Sequence, residues 1–245
     1  MAKSSGLGQG ILIGGVDLSG DIGALGRVAG GPAPLDVTAI NKSAHERIGG
    51  LLDGAIEYMA FFNDAAGAAH LSLRGLPTAD VQIAYFMAST IGAEAACIVG
   101  KQLNYDPTRA ADGSLTFAVS HPANGFGLEW CDLLTAGKRT DTTGTNGASL
   151  DGTAASTTGW AAYLQVTALT GTNVVLTIED SADNAAWAAV TGGAFTSVTA
   201  APGTQRITGA AGATLRRYVR AVSSGVFTSA TFLVAIGRHP SGAAA

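Results

Sequence analysis

Residues 114–120 read Ser-Leu-Thr-Phe-Ala-Val-Ser. Leu115, Phe117 and Val119 alternate with Ser114, Thr116, Ala118 and Ser120, and successive side chains of an extended chain point to opposite faces, so one face is apolar and the other wet. The pattern predicts a half-buried antiparallel strand. Working outward, Val81–Ala88 and Ala95–Tyr105 alternate less cleanly, and Asp106–Gly113 (DPTRAADG) has the Pro, Asp and Gly of a hairpin loop. Ile56–Phe62 and Phe126–Trp130 complete the stronger strand candidates. One helix is expected, capped by Asn63 or Asp64, carried by Ala-rich sequence through Leu71 and Leu73, and ended by Gly75 and Pro77.

Two further strand candidates, Pro34–Ala39 and Ala55–Phe62, are joined by Ile40–Gly54 (INKSAHERIGGLLDG), longer than an ordinary hairpin turn. Ile48, Leu51 and Leu52 make this loop too apolar to remain in water, so it is expected to pack against something.

Between Thr140 and Gly159 the chain reads TDTTGTNGASLDGTAASTTG, a linker by composition. It divides the sequence into an N-terminal domain of about 1–145, a linker over 146–156 and a C-terminal domain of about 157–240. The latter shows short alternating runs at Trp160–Thr167, Val174–Asp180, Trp187–Val190, Phe195–Val198, Gln205–Thr208, Leu215–Val222 and Val226–Ile236, the pattern of a β-sandwich or small barrel.

Of the 245 residues, 47% are apolar and only 13% charged, against roughly 25% charged in an ordinary soluble domain. Much of the surface is therefore expected either to be covered by partners or to be coated with small residues. The net charge of −4 and the lack of a Lys/Arg block argue against attraction to a nucleic-acid backbone. Residues 1–150 carry nine Lys/Arg and fourteen Asp/Glu, whereas 151–245 carry five and four, so the first half is acidic. Ile11–Val16 is too short for a signal-peptide core and no apolar run reaches membrane-spanning length, so folding in the cytoplasm is expected.

Motifs of catalysis are missing from the sequence. Gly6, Gly8 and Gly10 lack the preceding strand and following helix of a dinucleotide site. His45, His70, His121 and His239 are scattered, and Cys97 and Cys131 have no metal-type spacing and read as small buried residues. Glu179, Asp180 and Asp183 fall at a strand end and turn, where acids commonly cap the chain. Trp160 and Trp187 could stack on a sugar but read better as core. No enzyme activity, cofactor or metal is expected.

The N-terminal half resembles the tail tube proteins of long-tailed (siphovirus-type) bacteriophages. The resemblance rests on an ordered set: GVDLSGD, then LDVTAINKSAHERIGGLLDG leading into IEYMAFFND, an Ala-rich helix, and GKQLNYDPTRAADGSLTFAV leading to NGFGLEW. It spans roughly residues 10–140. It implies a mainly β protein: a tail-tube sandwich with one flanking helix, to which a C-terminal sandwich, immunoglobulin-like, carbohydrate-binding-like or galactose-binding-like, is appended. Such protomers form hexameric rings whose sheets join into an inner β-barrel, and the rings stack into a tube that conducts the genome without specific binding. The implied location is the virion, after assembly in the host cytoplasm, with tape measure, terminator and distal tail proteins as partners and no membrane. The matching loop would make the contact between rings, which nominates Lys42, His45, Glu46, Arg47, Ile48, Leu51 and Leu52. The alternative is a virion adhesin whose C-terminal sandwich binds host glycans; that reading requires exposed aromatics in a groove.

Overall fold

The computed structural model describes residues 5–238. The chain is mainly β and its sheets are antiparallel. In order it forms β1 (Gly10–Ile13), β2 (Val16–Asp17), β3 (Ile22–Asp36), β4 (Arg47–Phe61), α1 (Ala69–Leu73), β5 (Val81–Phe86), β6 (Glu94–Gly100), β7 (Asp106–Arg109), β8 (Leu115–Pro122) and β9 (Glu129–Leu133). The second half adds β10 (Arg139–Asp141), β11 (Leu150–Asp151), β12 (Ala161–Ser181), β13 (Ala188–Ala194), β14 (Gly203–Thr208) and β15 (Tyr218–Gly237). A four-stranded sheet runs β3-β4-β8-β7, and an eleven-stranded sheet has the path β13-β12-β15-β9-β6-β5-β1-β2, with β10 and β11 on β15 and β14 on β12.

The strand read from residues 114–120 is β8. Its Phe117 and Val119 are buried, and Val119 packs with Ile56, Tyr58 and Ala60 of β4. Facing them across the sandwich are the odd-numbered residues of β1 and β5: Ile11, Ile13, Ile83 and Tyr85. The even-numbered Leu12, Ala84 and Phe86 point the other way, into a separate cluster with Cys97, Leu133, Tyr163, Leu233 and Ala235. This middle layer is apolar on both faces, which is why β5 and β6 alternate poorly in sequence.

The large sheet curls until the β1–β2 turn meets β12. Gly15 N–H donates to Gln165 Oε1 (2.7 Å), and Gln165 Nε2 donates to the Gln82 carbonyl (3.0 Å). Both cysteines lie buried in the layer shared by the two halves.

Several boundaries differ from the sequence expectation. Asp106–Arg109 is not loop but strand, paired with β8, and the turn occupies Ala110–Gly113. The helix is one short turn, because Gly67 takes φ +76° and the chain before it makes tight turns instead. Its first N–H groups are served from a distance: Ala69 N–H donates to Asp21 Oδ2 (2.8 Å). The seven runs of the C-terminal half merge into fewer, longer strands. Gly171 and Gly225 look like turn residues, yet they mark bends where β12 and β15 cross; a Cβ on Gly171 would lie 2.4 Å from Phe227 Cα. Phe195–Val198 forms no strand of its own: Val198 bridges to Val174, and Phe195 N–H donates to the Leu176 carbonyl (2.9 Å).

The Thr/Gly/Ala/Ser stretch does not span open solvent. Arg139–Asp141 pairs with Phe232–Ala230, Asn146 bridges to Val222, Leu150 pairs with Val219 and Ser156 bridges to Leu215. Small polar residues serve an edge strand as well as a linker, and composition alone cannot separate the two.

Candidate assembly surfaces

β3 and β4 pair from Ile22↔Ala60 to Asp36↔Arg47, with register shifts at Ile22/Ala24, Leu25/Arg27 and Pro32/Pro34, but β8 accompanies β4 only over Ala55–Phe61. Residues 32–52 therefore form a two-stranded ribbon beyond the sheet. At about 3.3 Å per residue, the five steps from Leu52 to Arg47 carry it roughly 17 Å outward before the tip begins. A lone two-stranded ribbon is marginal in water. This one also exposes apolar side chains on both faces, with Leu51 88% exposed, Ile48 54% and Leu52 39%, while Ile40 at the tip is fully exposed.

Local hydrogen bonds shape the tip. Val37 N–H donates to the Glu46 carbonyl (2.9 Å), Glu46 N–H to Thr38 Oγ1 (2.9 Å) and Lys42 N–H to the Ala39 carbonyl (3.0 Å). Lys42 Nζ lies 2.9 Å from Glu46 Oε1, and His45 Nδ1 lies 2.9 Å from Asp36 Oδ2. Hydrogen bonds from Thr38, and then from His45, hold the Asp36 carboxyl below its usual range. Such exposed pairs add little stability, but they fix where the charges sit.

The structure brings the seven nominated residues together on this ribbon: Lys42, His45 and Glu46 at the tip, and Arg47, Ile48, Leu51 and Leu52 on β4. The expected fifteen-residue loop is shorter than its sequence suggested, since only Val37–Glu46 lies outside the strands. Leu35, Val37 and Ile40 belong to the same exposed apolar set. In sequence they carry no such signal, because a strand ending in Leu-Asp-Val-Thr-Ala-Ile reads as ordinarily half-buried.

The four-stranded sheet ends at β3 on one side and at β7 on the other. Its face away from the core carries the rows Ala24–Met59–Ala118–Asp106 and Arg27–Glu57–Ser120. The surface is small and polar, with Arg27 Nη1 3.7 Å from Glu57 Oε1. Pro32 and Pro34 lack an N–H, which blunts the ribbon portion of β3 as a template for strand addition; Ile22–Ala29 has no such block.

The remaining candidates take structural places. Glu179 pairs with Arg220 and Asp180 with Arg216, while Asp183 accepts the Ala185 and Ala186 N–H groups at 2.9 Å and so caps a turn. Trp160 is buried, and Trp187 is half-buried beneath the Arg220 guanidinium, 4.2 Å from its ring centroid. His45 is at the ribbon tip, His70 lies against Tyr105 and His121 in the core against Tyr58, while His239 falls outside the described residues. Among the described residues no group of three or more His, Cys, Asp or Glu is placed to hold a metal, and no helix is long and apolar enough to cross a membrane.

No protein-family model matches the chain, and no curated protein matches it. Among solved structures, a protein in the tail of an empty gene transfer agent particle, computed with C6 symmetry, aligns with TM-score 0.40 and 13% identity over 53% of this chain and 98% of that one. A protein from the virion of a native gene transfer agent gives TM-score 0.40 and 14% identity over 51% and 98%. The Dit protein of phage SPP1 gives TM-score 0.35 and 11% identity over 94% and 98%.

Proposed function

We propose that this chain is a structural subunit of a long-tailed phage tail tube, forming stacked hexameric rings that conduct the genome. The observation that carries the reading is the projecting apolar ribbon beside a four-stranded sheet with two open edges. Each is a liability in a monomer and is satisfied in a ring stack. The β3 edge over Ile22–Ala29 would pair with β7 of the neighbouring subunit, closing the small sheets into one barrel. Their outward face then lines the channel, with Glu57 and Asp106 as its carboxylates and Arg27 as the counter-charge; a slight negative excess lets a phosphate backbone slide. Residues 1–145 supply the ring-forming sandwich, and 157–240 cover its outside.

The glycan-binding alternative needs exposed aromatics on the C-terminal sandwich. Val226 is the sole exposed large hydrophobic among the described residues beyond 157, which favours the structural reading.

Cross-linking tests the ring. In the Ala24→Cys, Thr108→Cys double variant the two thiols sit on opposite outer strands and two residues out of register, roughly 16 Å apart within one subunit at 4.8 Å per strand and 3.3 Å per residue. A linker shorter than that can join them only between subunits. A ladder ending at six chains is expected; monomer alone would contradict edge-to-edge rings.

A further inference from the structure

A groove of about 930 Å³ opens where the base of the ribbon meets the C-terminal half, its walls formed by Pro32, Leu52, Phe126, Leu128, Trp130 and Arg206. Phe126 is 47% and Trp130 48% exposed, so two large aromatics stand in water here. The charged groups of the groove are already spent on each other. Arg206 donates to both oxygens of Glu129 (2.7 and 2.8 Å), Tyr163 donates its hydroxyl proton to the same carboxylate, and Arg206 stacks 3.8 Å from the Phe126 ring centroid. A sugar, rich in hydroxyls, would find no free charged partner, whereas an apolar protein segment would bury the aromatics at little polar cost.

We propose that this groove receives the ribbon tip of a second copy of the chain, with Val37, Ile40 and Ile48 seated against Leu52, Phe126 and Trp130. The inference rests on the tube reading and adds to it the place where the ribbon lands. Tip and groove lie at opposite ends of one ribbon, since Gly30–Pro32 and Gly50–Leu52 form part of the groove wall. A shift along the ribbon by about its own length, roughly 17 Å or more at 3.3 Å per residue, therefore brings the tip of one copy over the groove of the next. Such a contact is heterologous, since it uses two different patches, and a shift along the ribbon with no closing rotation repeats along an axis. The three seated side chains offer on the order of 400 Å², the scale of a small contact beside the ~800 Å² per partner of a standard interface, and a hexameric ring would make six such contacts at once. The contact is made by side chains rather than by strand addition, because Pro32 and Pro34 blunt the ribbon edge.

The test uses full-length protein and three variants: Ile40→Asp at the tip, Trp130→Arg in the groove, and Ala211→Trp, which plugs the groove from an exposed position. Thermal melts check folding, and sedimentation with negative-stain microscopy reads assembly. Each variant alone should stay folded and lose all pelletable tubes. A mixture of Ile40→Asp with Trp130→Arg retains one competent junction, formed by the intact tip of the groove variant in the intact groove of the tip variant. It should yield paired rings and nothing longer. Normal tubes from both groove variants would overturn the proposal while leaving the tube reading intact, and so would a mixture with no paired species. Failure of the wild-type protein to assemble at all would instead strike the tube reading itself.

Discussion

Tyr163 on β12 donates its hydroxyl proton to the carboxylate of Glu129 on β9, joining the two halves of the chain through a buried hydrogen bond that Arg206 completes. The Glu129 and Arg206 side chains are only 10% and 8% exposed, so neither can turn to water if its partner is lost. Arg206→Leu should therefore lower the unfolding free energy by about 3–5 kcal/mol, the usual cost of stranding one member of a buried pair. Urea denaturation measures this directly. A change under about 0.5 kcal/mol, typical of surface sites, would show that the pair holds nothing together.

The same junction governs what happens when the chain is cut. Removing residues 157–245 exposes Leu12, Ala84, Phe86, Cys97 and Leu133, all buried in the shared layer. A fragment of residues 1–145 should aggregate or melt well below the full chain. A linker over 146–156, as composition suggests, would be the first site of cleavage, but the pairing of this stretch with β15 should protect it. Limited proteolysis followed by mass spectrometry of the fragments decides between the two.

His121 is fully buried and stacked on Tyr58, ring centroids 5.7 Å apart, and neither of its ring nitrogens has a hydrogen-bond partner. Burial depresses its pKa from 6.5 to about 4. The unfolded chain therefore binds a proton that the folded chain refuses between those values. Stability from this group is complete above about pH 6.5 and is lost as pH falls toward 4, by up to roughly 3 kcal/mol. The His121→Phe variant should lack this component, so wild-type stability should rise relative to the variant's as pH increases from about 4 to 6.5. Parallel curves would refute the assignment.

Leu51→Asp alters an exposed ribbon residue and should leave the unfolding free energy of the isolated subunit within about 0.5 kcal/mol of wild type. Assembly should nevertheless stop at single rings. Deleting Lys42–Ile48 should do the same, because the ribbon does not cover its own sandwich. Loss of subunit stability in either variant would mean that the ribbon supports its own fold.

Alternation was clean where a strand has one wet face, as in β8, and weaker where both faces are buried. β5 and β6 lie between two cores, so their strands were legible but their ends were not, and Ala95–Tyr105 ran past the observed end at Gly100. The bends at Gly171 and Gly225 were indistinguishable from turns, because glycine serves both. Of the candidate surface, Ile48, Leu51 and Leu52 stood out by being apolar in a polar loop. Phe126, Trp130 and Arg206 did not. Their groove is assembled from four separate stretches of chain, and only the tertiary fold places them together.

The central claim, that exposed ribbon and open sheet edges exist to be covered by other copies of this chain, is tested most directly by negative-stain electron microscopy of the purified full-length protein across a concentration series. Rings with sixfold outline and a central channel should appear, stacking into tubes as concentration rises. A strictly monomeric protein at the highest concentration, with no ring or tube, would contradict the account.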